Sequence, residues 1–173
     1  MKLRTCILIL SMQCFFSAAN TLAALPPQKD YLSSIEADKI RDAETPNERI
    51  TLFLSFADDR MKKLQYELDH PSQTRHTEMI NSLLNAYVGC VDDAADLIQL
   101  GIEKQQNISK AINLMAVRTK DYIVALQKIP TNVPDADMYK DNLDDAIEGT
   151  QDASREAEAA KKNVAPPPVR RKK

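Results

Sequence analysis

The residues with most chemical promise are two histidines and two groups of carboxylates. Glu67-x-x-His70 has the spacing by which carboxylate di-iron bundles place two ligands on one helix face, a device such bundles need twice. The second histidine, His76, has Gln73 three residues before it, so the pair is not repeated. His70 and His76 stand six apart, on different faces of a helix. Pro71 follows His70 and ends the helix there. No metal-ligating set is therefore assigned. Asp92, Asp93 and Asp96 form one acidic group, and Asp141, Asp144, Asp145 and Glu148 form a denser one. Such stripes offer the oxygens that Ca²⁺ or Mg²⁺ takes, but no glycine-hinged loop is present to wrap an ion. The same spacing describes a solvated helix face. The first reading is solvation; the alternative is a cation- or small-ligand-binding face around residues 141–148.

Cys90 has no histidine near it in sequence and reads as a small core residue. There is no G-x-S-x-G, no S-x-x-K with partners, no H-E-x-x-H and no phosphate-binding glycine loop. No catalytic residue and no cofactor are assigned, and the expected protein is not an enzyme. The run Arg170, Arg171, Lys172, Lys173 is the one charge cluster with a partner in view. Each such residue near an anionic surface contributes about 1 kcal/mol, so four make a weak, salt-sensitive contact at best.

The elements that hold these residues begin with a targeting segment. Lys2 and Arg4 open the chain, an apolar run covers Thr5 to Phe16, and small residues crowd Ser17 to Ala24. This is the three-part layout of a secretory signal peptide. A spanning helix of about 20 apolar residues would have to include Ser17, Asn20 and Thr21, which disfavours an uncleaved anchor. Residues 1–24 are assigned as signal peptide, and the protein as exported, periplasmic or extracellular. Losing Lys2 and Arg4 takes the formal charge from −2 to −4. A mildly acidic body with a basic tip has no nucleic-acid footprint. Cys6 and Cys14 leave with the signal, and Cys90 alone cannot close an internal bridge.

Residues 25–162 read as one helical domain, and 163–173 as a disordered, proline-rich basic tail. Ser33 and Glu36 form a capping box that opens a short helix reaching about Glu44. Thr45, Pro46 and Glu48 repeat the device with proline at the first helical position. Ile50, Phe53, Leu54, Ala57, Met61, Leu64 and Leu68 then mark one apolar face. A second stripe starts from Ser72 or Gln73 and runs through Ile80, Leu84, Tyr87, Val91, Ala94 and Ile98. The same phase resumes at Ile108, Ile112, Met115, Thr119, Tyr122, Leu126 and Ile129. One helix of more than fifty residues fits, as do two that break near Gln105–Asn107 with Asn107 capping the second. The break is preferred, because helices past 25 residues are uncommon in globular domains. After a loop at 129–134, Ala136, Tyr139, Leu143, Ala146, Thr150, Ala153, Ala157 and Ala160 form the last stripe. Its alanines imply either fraying or close packing on a neighbour. Gly89 is expected to let two backbones approach.

The segment Leu32-Ser33-Ser34-Ile35-Glu36-Ala37-Asp38-Lys39-Ile40-Arg41-Asp42-Ala43-Glu44-Thr45-Pro46-Asn47-Glu48-Arg49-Ile50 resembles the opening of a family of exported helical bacterial proteins, in which "EADKIRDAxxPNERI" follows the signal peptide. The Asp92-Asp93-Ala94 region is similar too. The resemblance implies an all-helical exported protein and no activity. By residue type, Asp38, Arg41, Glu48 and Arg49 are placed to pair across the turn between two helix starts.

The sequence thus predicts an all-α, antiparallel bundle of four to five helices with coiled-coil-like packing. Its expected role is contact with another envelope protein or with a second copy of itself. The expected shared core comprises Ile50, Phe53, Leu64, Leu84, Tyr87, Val91, Met115, Tyr122 and Leu126.

Overall fold

Both helix starts expected near the N-terminal end form as capping boxes. Ser33 accepts from the Glu36 amide and Glu36 accepts from the Ser33 amide; Thr45 and Glu48 do the same. The computed structural model describes residues 31–163; the expected signal peptide and the tail from Val164 lie outside them. Among the described residues the elements are α1 (Ser34–Asp42), α2 (Pro46–Asp69), α3 (His76–Glu103), α4 (Ser109–Leu126), a 3-10 turn (Ala136–Met138) and α5 (Lys140–Asn163). None of them is a strand, and the protein is an all-α helical bundle.

Four long helices enclose the core, each antiparallel to the one before it. Contacts run α2 to α3, α3 to α5, α5 to α4 and α4 to α2, which leaves α3 and α4 on the diagonal. Two lateral pairs are therefore parallel. Asn81 and Asn142 bond at one level of α3 and α5, and Gln99 reaches Glu156 further along. Every expected core residue is buried, from Ile50 to Leu126. The alanines of α5 pack rather than fray: Ala146, Ala153, Ala157 and Ala160 are all buried. Small side chains there let α5 lie close to its neighbours.

The chain breaks between α3 and α4, but not as expected at its cap. Ile108 is the N-cap of α4 and offers no side-chain bond. Ile108 is fully buried, and a Cβ on Gly101 would come within 2.7 Å of its Cδ1. Seating Ile108 on Gly101 leaves Asn107 one residue too early to cap. The turn itself is a Schellman motif. The Gln106 amide donates to Gly101 O (2.8 Å) and the Gln105 amide to Ile102 O (3.0 Å). Gln105 takes φ +52°, a left-handed conformation that favours glycine.

Three other expectations shift. α3 starts at His76, not at Ser72 or Gln73, because Ser72 is held by Glu67 at the end of α2. Ala136 begins a 3-10 turn rather than the last helix; Tyr139 bonds back to Pro130 O (2.5 Å), and α5 follows. Gly89 admits an aromatic ring instead of a second backbone: a Cβ there would sit 2.7 Å from the Tyr31 ring.

Replacing Gln105 by glycine should relieve the left-handed strain. We expect Gln105→Gly to stabilise the protein by about 0.5–1 kcal/mol, seen as a higher urea midpoint with an unchanged slope. A lower midpoint would contradict the turn assignment.

Candidate functional site

Glu67 sits in the last turn of α2 and is buried, although it is a carboxylate. Three groups meet it. Ser72 donates its amide to Oε1 (2.8 Å) and its hydroxyl to Oε2 (2.9 Å), and His76 Nδ1 lies 2.9 Å from Oε1. The Ser72 amide is the main cause, with His76 next, of a Glu67 pKa below the ordinary carboxylate range. The serine hydroxyl points at the carboxylate and not at the imidazole, so this is no activated nucleophile. The cluster locks the turn between α2 and α3.

His70 is not brought to Glu67. Its ring stacks on Tyr66 at 4.5 Å between centroids, with Nδ1 3.3 Å from Tyr66 O. Among the described residues no three His, Cys, Asp or Glu side chains gather as a metal ion would need. Asp141, Asp144, Asp145 and Glu148 are exposed along α5, while Leu143 and Ala146 between them turn inward. In the α3 group, burial, with repulsion from Asp96 added, pushes Asp93 up to about 6. Cys90 is fully buried. The basic run 170–173 lies outside the described residues.

The α1–α2 turn is not fixed by the ion pairs that residue type suggested. Asp38 and Arg41 pair within α1, both exposed. Glu48 is spent on the amides of Glu44 and Thr45. Arg49 donates from Nε and Nη2 to Ala43 O, at 3.2 and 3.1 Å. The ion pair that joins the two helices is Glu36 with Arg60. Arg60 Nη1 reaches Glu36 Oε1 (2.5 Å) and Nη2 reaches Oε2 (2.8 Å), with a further bond to Tyr31 O (3.1 Å). This fork geometry suits a carboxylate. It holds Glu36 down to a pKa of about 2, the Arg60 hydrogen bonds being the largest cause.

Asn47 was not singled out, yet it binds two elements. From the first turn of α2 it donates Nδ2–H to Asn107 O (2.6 Å) and accepts the Ala111 amide on Oδ1 (3.0 Å). It thus caps α4 from another helix, which compensates for the missing side-chain cap at Ile108. A groove of about 500 Å³ opens beside it, lined by Lys39, Asp42, Glu48, Thr51, Leu52 and Lys110 among others. Its charges are mixed and show no preference for one ligand class.

The outer face of α4 carries Val117 and Val124, two turns apart, at 58% and 52% exposure. Lys110 and Asp121 lie along the same face at exposed positions. Valine is a poor helix former, and about half of each side chain stays exposed here.

Arg60, Glu67 and Asn47 carried sequence signals of different strength. Arg60 and Glu67 fall in the apolar register Phe53, Ala57, Arg60, Leu64, Glu67, so a charged residue on the core face marked both. Asn47 carried none, because its partners lie about sixty residues away. Comparison with protein-family models, curated proteins and solved structures returned no match.

Removing the clasp should loosen the start of α4. Asn47→Ala is expected to cost about 1–2 kcal/mol and Asn47→Asp less, since the acceptor to Ala111 survives. Equal, negligible losses in thermal unfolding would contradict the clasp. Glu67 also fixes a pH dependence. Its folded pKa lies below its unfolded value, so its stabilisation is complete above about pH 4.5 and drains as pH falls further. The melting temperature should therefore drop from pH 5 to pH 3, and Glu67→Gln should lower it at pH 7 and shrink the acid drop. An acid drop of the same size in the variant would contradict this assignment.

Proposed function

We propose that this protein is exported and acts without catalysis, through contacts with another envelope protein or with a second copy of itself. The observation that carries the contact reading is the outer face of α4. α1, α2 and α3 each expose one large apolar side chain, Ile35, Tyr66 and Leu100, whereas α4 exposes two in register, Val117 and Val124, on the side away from its own buried stripe. Two aliphatic side chains at seven-residue spacing, flanked by Lys110 and Asp121, have the spacing of a seam at which a second helix could pack, which supports the reading. Export is supported by the arrangement of residues 1–24 and by the resemblance across residues 32–50. No helix among the described residues is long and apolar enough to cross a membrane.

Photo-cross-linkers at positions 117 and 124 test the contact reading in the native envelope. We expect a discrete adduct from both sites and none from Asp144, which is exposed on α5. The adduct should vanish when the other valine is changed to lysine. Equal labelling from all three sites, or no adduct from α4, would overturn the reading.

A further inference from the structure

α1 is held unlike the other helices. It has no buried residue of its own, and Ile35 at its start is 67% exposed. Ile40 packs part of its side chain on the core, and two further attachments hold it, one at each end. At its head, Glu36 is forked by Arg60, Leu32 is buried, and the Tyr31 ring fills the space that Gly89 leaves open. At its foot, Ala43 is tied to Arg49. Between them, Asp38, Lys39, Arg41 and Asp42 face solvent.

The head contacts are joined to one another. Arg60 bonds both the Glu36 carboxylate and the Tyr31 carbonyl, so losing one weakens the other. The foot contact closes a loop of six residues within one turn and survives whatever the head does. Helix packing elsewhere is independent of α1, since α2 to α5 close their ring without it. Local opening follows where few apolar contacts hold an element.

We propose that residues 31–42 form a strap that opens as one unit about Ala43–Thr45, while α2 to α5 stay folded. Opening frees the Arg60 guanidinium from Glu36, leaving it to Asp59 of its own helix, and uncovers the space over Gly89 that the Tyr31 ring fills when the strap is shut. The Glu36–Arg60 fork is the catch.

Amide exchange followed by mass spectrometry on the full chain tests this, together with limited trypsin cleavage after Lys39 and Arg41. The wild type should exchange α1 amides faster than those of α3 and α5. Glu36→Gln should speed α1 exchange at least tenfold and raise cleavage at both sites, with α3 and α5 unchanged. Gly89→Ala, which evicts the Tyr31 ring without touching a charge, should do the same. Exchange in α1 as slow as in α3, an equal rise in every helix, or no response to either variant would overturn the proposal.

Discussion

Four helices meet at one polar tie in the middle of an apolar core. Tyr87 of α3 bonds Thr150 of α5 (2.8 Å). Tyr122 of α4 donates to Leu54 O (3.0 Å) and lies 2.7 Å from Asp58 Oδ1, both on α2. The two rings touch edge to face at 5.4 Å, the arrangement aromatic quadrupoles favour. Hydrophobic burial has no direction and would accept several registers between these helices. Buried hydroxyls accept few, because an unpaired one costs about 1–3 kcal/mol. The tie therefore selects the level at which all four stripes meet. Burial pushes both tyrosine pKa values upward, so the hydroxyls remain donors.

The diagonal placement of α3 and α4 explains why the tie involves those rings. Helices on a diagonal are too far apart for small side chains to meet, and two tyrosines span the gap. On the lateral sides the reverse holds. Ala57, Ala94, Ala116 and Ala153 are buried where neighbouring helices come close. The ends are then fixed by polar devices that reach between elements: Asn47 to α4, Glu67 to the α2–α3 turn and Arg60 to α1.

The periodic stripes made the helices and their core face legible, since burial follows the 3.6-residue repeat whatever the topology. The capping boxes at Ser33 and Thr45 were legible because both partners lie three residues apart. The diagonal order was not legible, because it depends on which faces meet, and a stripe does not name its partner. Asn107 misled for a related reason: a cap is chosen by where the chain is anchored, and burial of Ile108 decided that. The candidate sites divide in the same way. Glu67 was visible as a ligand type, but its partner His76 was set by a turn whose path only the fold defines.

The most direct test of this account is the stability of Tyr122→Phe beside Tyr87→Phe in urea unfolding. Tyr122→Phe removes the buried donor to the charged Asp58 carboxylate, which keeps only Arg118 on its other oxygen, while Leu54 O keeps its helical amide; it should cost about 1–3 kcal/mol. Tyr87→Phe should cost less, because Thr150 keeps its bond to Ala146 O. Two variants as stable as the parent, with the same cooperativity, would show that apolar packing alone sets the register and would contradict the central claim.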